Sequence, residues 1–394
     1  MKNAMTRNRV PTVAALVCLA AVSAAALWDA GTTLGGESAG APLPQPQKQK
    51  LFTGCRIPAL AITLKGTILA FCEHRITCSD HGNVDLIVRR STDGGKTWGK
   101  RILVHDARGR ASGNPCPVVD RTTGIVWLAF ASQNNKTAMI THSKDEGKTW
   151  AKPIDITKQV KRKTWSWFAF GPCHGIQLKS GRILFPANHH QVKIKRNAPK
   201  DDPYGVHGHV VYSDDHGKTW KLGGTTPGYK MNENSVTETV DGTLYMNGRC
   251  YGGRRRCSWS RDGGLTWSPV MRNKTVPGIT DPSQFGTGCQ ANAIRFTNEG
   301  FHDRNRVLFS NPAGKKRANL TVRISYDECK SWTKGKLLQK GQSGYSDLVV
   351  LPDMSIGCLY EGPGGIWFAR FTLDWLTDGK DRLDRGKFTL ANNK

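Results

Sequence analysis

Acidic residues are scarce in this chain: 31 Asp and Glu stand against 57 Lys and Arg in 394 residues, a formal net charge of +26. Such a field attracts anions, whether nucleic acid, acidic glycans or acidic cell surfaces. The basic excess lies in the body of the chain, in clusters at 193–200, 254–256 and 315–317. No RNA- or DNA-binding motif accompanies it, so an acidic small ligand is favoured over nucleic acid. Long helical periodicity is also missing, which argues against a helical bundle. No apolar run reaches the about 20 residues that cross a bilayer. The longest, from Val13 to Leu27, follows Lys2, Arg7 and Arg9 and ends among small residues. That is the pattern of a secretory leader over 1–28, implying export, with a retained membrane anchor as the alternative. Residues 29–50 are rich in Gly, Pro and Gln and read as a flexible linker. Standard metal-ligand spacing is absent too. His189, His190, His207 and His209 lack a Cys or carboxylate partner in register and read as loop histidines, so neither a metal nor another cofactor is expected.

What the chain has instead is repetition. An octapeptide appears as STDGGKTW from Ser91, SKDEGKTW from Ser143, SDDHGKTW from Ser213, SRDGGLTW from Ser260, and degraded as SYDECKSW from Ser325. The frame Ser-x-Asp-x-Gly-x-Thr-Trp suits a tight turn: the Asp accepts turn N–H groups, and Gly takes positive φ without steric cost. The Trp is an apolar anchor. Strand-like runs precede the boxes, so each reads as a hairpin turn within a sheet. Their spacing of 47 to 70 residues is that of propeller blades, which need about 40–50 residues plus loops. The expectation is an all-β, six-bladed propeller of four-stranded antiparallel blades over 51–377, with one blade lacking a box. The outermost strand of the sixth blade would come from near the N-terminus, and 378–394 would be a C-terminal tail. Of 11 cysteines, Cys18 lies in the leader, leaving ten. An exported setting permits pairing. Cys250 and Cys257 are placed to bridge one hairpin, and Cys329 replaces the Gly of the fifth box.

Inner strands of a propeller converge on the mouth of a central channel, so charged residues at their ends are the ones to examine. Arg56 opens the first inner strand, and Arg75 and Asp80 follow its neighbour. Glu233 opens a later inner strand, with Arg249 16 residues on; Tyr345 opens the last, with Glu361 again 16 residues on. Arg317 precedes a strand of the fifth blade. Arginines from separate blades, joined by carboxylates and one tyrosine, make an anion site, because guanidinium forks hold a carboxylate in bidentate fashion. Tyr345, Asp80, Arg317 and Glu233 each have a rival. Tyr360 sits late on a strand, Asp85 directly precedes an apolar run, and Arg323 and Glu238 lie within strand runs.

These residues carry a family resemblance. The boxes resemble the Asp-boxes of sialidases, and 51–377 is similar to the exo-α-sialidase (neuraminidase) family of glycoside hydrolases. Cys55-Arg56-Ile57-Pro58 resembles that family's aromatic-Arg-Ile-Pro motif, with Cys55 in the aromatic's place. Asn114-Pro-Cys-Pro117, GPCHGIQL, LYMNGR ending at Arg249, Tyr345-Ser-Asp-Leu and LYE ending at Glu361 follow in the family's order. The resemblance implies that Arg56, Arg249 and Arg317 clamp the sialic acid carboxylate and that Glu361 orients Arg56. It further implies Tyr345 as nucleophile, Glu233 as its base, Asp80 as general acid/base and Arg75 as an additional arginine. Asn114 and the strand Trp127–Phe130 are implied for the N-acyl pocket; Asn188 and His190 fall where some relatives have glycerol-binding tyrosines. The implied activity is hydrolysis of terminal sialic acid from glycoproteins, glycolipids or oligosaccharides with retention. A non-catalytic acidic-glycan-binding propeller and a trans-sialidase are the competing readings. Tyrosine suits this chemistry: the anomeric carbon bears a carboxylate, which would repel an anionic Asp or Glu nucleophile. A neutral phenol avoids the repulsion but needs an adjacent base.

Overall fold

Apolar–polar alternation between Gly- and Asp-bearing turns yields strands almost everywhere: 25 strands and two short helices are formed by the described residues. The structure is a computed structural model and describes residues 43–384 apart from 78, 192–204, 229, 251–253, 277–287 and 315. The leader expected over 1–28 lies outside them. The strands form six antiparallel sheets of four, one with a short extra strand, in the order expected for a six-bladed propeller. The first blade is Cys55–Ile62, Ile68–Arg75, Val84–Ser91 and Ile102–His105; the second is Gly113–Val119, Val126–Ser132, Thr137–Ser143 and Ile154–Asp155. In the third, Trp165–Phe170 and Ile176–Gln177 both pair with Ile183–Gln191, which is followed by Val206–Ser213 and Lys221–Thr225. The fourth is Asn234–Glu238, Leu244–Gly248, Arg256–Ser260 and Met271–Arg272, and the fifth Asn292–Thr297, Arg306–Pro312, Ala318–Ser325 and Lys336–Gln342.

The sixth blade, Ser346–Val350, Ile356–Gly362 and Gly365–Phe371, takes its outermost strand from Gln47–Phe52, in register with Gln47 opposite Arg370. Closure this way removes an open edge. It also corrects the linker boundary: by residue 47 the chain is already strand, with Leu51 and Phe52 buried. The tail is corrected likewise. Thr372 caps a helix at Leu373–Thr377, and beyond it Asp381 is buried against Arg306, Nε to Oδ2 at 2.7 Å. Residues 385–394 lie outside the description.

The boxes stitch each blade to its neighbour. Within the first, Ser91 Oγ donates to Asp93 at 2.7 Å and accepts from Gly95 N at 2.9 Å, while Thr97 N and Oγ1 both donate to Asp93. The Gly directly after position four of the frame, present in the first four boxes, is pressed onto the previous blade. A Cβ on Gly95 would lie 2.5 Å from Phe368, on Gly147 2.8 Å from Leu69, and on Gly217 2.3 Å from Trp127. Trp127 also packs edge-on to the box tryptophan Trp220, with centroids 5.6 Å apart. The segment Trp127–Phe130 therefore belongs to the inter-blade core, and its assignment to an N-acyl pocket is corrected, because Trp127 lies at the box end of its strand. In the fifth box Cys329 adopts φ 67° where the other boxes use Gly, and it remains a free thiol. The expected bridge between Cys250 and Cys257 does not form: Cys250 Sγ accepts Arg256 Nε at 3.4 Å, and all nine described cysteines are buried.

Candidate active site

The first inner strand starts irregularly. Ile57, a β-branched residue, sits at φ 56°, and the pairing register with the next strand slips between Arg56 and Ala59. Such a conformation persists only where its surroundings impose it. Here the cause is Glu361, which accepts Ile57 N at 3.0 Å, Arg56 Nε at 3.0 Å, Arg56 Nη2 at 3.3 Å and Tyr345 N at 3.2 Å. One carboxylate thus aims Arg56 and ties it to the start of the strand that carries Tyr345. A side chain on Gly344 would strike Glu361 Oε2 at 2.2 Å and displace that carboxylate.

Tyr345 is buried, at 4 % exposure. Its hydroxyl donates to Glu233 Oε1 at 2.5 Å and accepts from Arg249 Nη1 at 2.9 Å, and Arg249 Nη1 also reaches Glu233 Oε2 at 2.7 Å. Arg56 and Arg317 each place a guanidinium 5.3 Å from the ring centroid. Burial, and then the Glu233 carboxylate, push the Tyr345 phenol well above its ordinary range; the three arginines pull the other way and do not win. Tyr345 is therefore a neutral phenol with a base already in contact. Arg56 and Arg249 are held as cations: burial acts against their charge, and Glu361 and Glu233 respectively outweigh it. Among the described residues the Arg317 side chain makes one hydrogen bond, to Gly288 O at 3.2 Å, and has no carboxylate partner.

On the opposite side, Arg75 bonds Glu73 through Nε at 2.8 Å and Nη2 at 2.5 Å, and its Nη1 contacts Asp80. Asp80 also lies 3.7 Å from Arg56 Nη1, with its side chain 65 % exposed. Partial desolvation pushes its carboxyl up, but Arg75 and then Arg56 hold it below the usual carboxylate range. Glu73 has a role that sequence reading missed. It is buried, it accepts Asn114 N at 2.8 Å, and it fixes Arg75. Its signal was available: residues 73 and 75 share one face of a strand. Asn114, at φ 58°, additionally accepts Asn135 Nδ2 at 3.1 Å, so it borders the Arg75 side of the site.

The rivals sit elsewhere. Tyr360 is fully buried and bonds Gln339; Asp85 accepts Ala107 N at 2.9 Å; Arg323 bonds Asn311 at 2.7 Å inside its blade; and Glu238 accepts Lys179 N at 2.9 Å. The four histidines are not on loops. His189 and His190 lie on Ile183–Gln191, and His207 and His209 on its partner Val206–Ser213. Aromatic packing explains this: His189 stacks on Trp165 at 3.5 Å, and His189 Nδ1 lies 3.1 Å from His209 Nδ1. Asn188 is fully buried, and His190 stacks on Trp167 at 4.6 Å. No cluster of ligating side chains suited to a metal ion occurs among the described residues.

Residues 66–359 match the BNR repeat-like domain family. The chain is 32% identical to a sialidase of Micromonospora viridifaciens over 94% of its own length and 62% of that protein's. It is 32% identical to a sialidase of Bacteroides fragilis over 78% of its length and 59% of that protein's. It thus spans about three fifths of each of these relatives. Among solved structures it resembles the Hadza microbial sialidase Hz136, at 28% identity and a TM-score of 0.72, covering 82% of this chain and 66% of that one.

Proposed function

Because this chain belongs to the sialidase family, we propose that it is an exo-α-sialidase, a glycoside hydrolase that releases terminal sialic acid from glycoconjugates with retention through a tyrosyl intermediate. The observation that carries the reading is the buried contact of Tyr345 with Glu233 and Arg249 inside a frame of arginines from different blades. Arg56, Arg249 and Arg317 receive the substrate carboxylate, two of them pre-aimed by Glu361 and Glu233. Tyr345 O attacks the anomeric carbon while its proton passes to Glu233 and the glycosidic C–O bond breaks. Asp80 gives its proton to the departing oxygen. The substrate carboxylate draws Arg56 from Asp80 and so eases protonation of the acid. Water, deprotonated by Asp80, then attacks the anomeric carbon, and the Tyr345 oxygen leaves and regains its proton from Glu233. Two inversions give net retention.

Hydrolysis of a 4-methylumbelliferyl sialoside followed by proton NMR tests this directly. The α-anomer is expected as first product, and Tyr345→Phe is expected to lose about 10³-fold or more in turnover while the fold survives. First release of the β-anomer, or near-parental turnover in Tyr345→Phe, would refute it. Sialoglycan binding without release would favour a silent propeller, and efficient transfer to lactose a trans-sialidase. Export through the leader over 1–28 is proposed on its sequence pattern; N-terminal sequencing of secreted protein should begin after that segment.

A further inference from the structure

The site just described is electrically balanced before substrate arrives. Arg56, Arg75, Arg249 and Arg317 face Glu73, Glu233, Glu361 and Asp80, four cations against four anions. A sialic acid carboxylate adds a negative charge to this set. A compensating positive charge lies one layer deeper. Arg255 is 3 % exposed, immediately before the strand Arg256–Ser260. Its Nη1 donates to Cys289 O at 2.6 Å, its Nη2 to Asn247 O at 3.4 Å, and its Nε to Asn247 Oδ1. Its guanidinium lies 5.7 Å from the Phe309 ring centroid. No carboxylate pairs with it among the described residues. A buried charge without a partner of opposite sign is costly, and such groups are rare.

Its neighbours lead to the reacting groups. Cys289, whose carbonyl it holds, packs in one buried cluster with Ile57 and Tyr345. Asn247 lies two residues before Arg249 on the chain that runs into the site. Burial lowers the Arg255 guanidinium to about 10, which leaves it charged at neutral pH, and both Glu233 and Arg249 lie within its field.

We propose that Arg255 is a positioning residue that acts through its field and through the Cys289 carbonyl, supplying the net positive charge by which the site holds an anionic sugar it does not touch. The inference rests on the sialidase reading. A purely structural brace would use the same hydrogen bonds, so the test must separate charge from bracing. Asn247→Asp does so. It preserves the shape and the acceptor for Arg255 while cancelling its charge. The fold has room for the swap: Tyr245 OH, which now accepts Asn247 Nδ2 at 2.7 Å and Asn273 Nδ2 at 2.9 Å, can turn its proton toward the new carboxylate.

The assay measures kcat and KM on 4-methylumbelliferyl sialoside, inhibition by free sialic acid, and Tm, for the parent, Asn247→Asp, Arg255→Lys and Arg255→Met. For Asn247→Asp, KM and the inhibition constant are expected to rise about tenfold, or about 1.4 kcal/mol, with Tm and kcat changing little. Arg255→Lys should bind closer to the parent than Arg255→Met at matched folding. Parental affinity in Asn247→Asp, or equal losses in the Lys and Met variants, would overturn the proposal. If Asn247→Asp fails to fold, the Lys and Met pair decides it. A parent that neither cleaves nor binds sialic acid would refute the sialidase reading first, and this inference with it.

Discussion

Glu361→Gln is the perturbation whose consequences the structure specifies most fully. Glu361 accepts four hydrogen bonds from three residues, Arg56 through Nε and Nη2 and the backbone N–H groups of Ile57 and Tyr345. Every group facing it is a donor. A glutamine amide keeps one acceptor oxygen and turns its NH2 toward donors that cannot receive it. Loss of the charge-assisted bond to Arg56 costs about 1.5–3 kcal/mol, and an unsatisfied part-buried group about 1 kcal/mol more. With side chains 34 % and 15 % exposed, the pair is only part-buried, and the sum lies toward the lower end of the about 3–5 kcal/mol typical of breaking a buried ion pair. Thermal unfolding should therefore move down by about 5 °C or more. Kinetically the variant should differ from Tyr345→Phe. On the proposed reading Arg56 holds the substrate carboxylate in ground and transition state alike, so releasing it should raise KM about tenfold or more with a smaller fall in kcat. Tyr345→Phe should instead collapse kcat. Differential scanning calorimetry with steady-state hydrolysis of 4-methylumbelliferyl sialoside checks both expectations. A Glu361→Gln protein with parental Tm and KM would refute the claim that this carboxylate aims Arg56.

Three further outcomes are expected. Asp80→Asn should slow release from sialyllactose far more than from 4-methylumbelliferyl sialoside, because a poor leaving group needs the proton more; equal losses on both would remove Asp80 as the acid. Gly217→Ala should destabilise by about 2–4 kcal/mol in denaturant titration, since the new Cβ meets Trp127 at 2.3 Å and φ is 84°; an unchanged midpoint would show that the boxes do not lock the blades. His209 and His190 are held neutral by burial, pushed down to about 3 and about 4. The unfolded chain binds protons at these histidines first, so stability is intact above about pH 6.5 and falls as pH drops from there toward 4, by about 1.4 kcal/mol per pH unit for each buried ring. Chemical denaturation from pH 7 to 4 should show a shallower fall in His209→Phe; an identical slope would contradict the burial argument.

The alternating strands and the repeated boxes determined the architecture from sequence alone, because period-two patterning and turn chemistry are local. They also numbered the blades, which singled out Arg56, Glu233, Arg249, Tyr345 and Glu361 as strand-end residues, and those do meet. Local signals did not reach the rest. The outermost strand of the sixth blade is expected from near the N-terminus, but its bounds, Gln47–Phe52, lack composition of their own for a sheet and are set by the unpaired edge that Gly365–Phe371 offers. The histidines read as loop residues by polarity, yet aromatic partners from another strand bury them. Trp127 reads as a pocket residue until Gly217 of the next blade is seen pressed against it. Glu73 and Arg255 depend most on tertiary structure: a buried charge takes its meaning from what surrounds it, and only the closed ring brings Asn114 to Glu73 or Cys289 to Arg255.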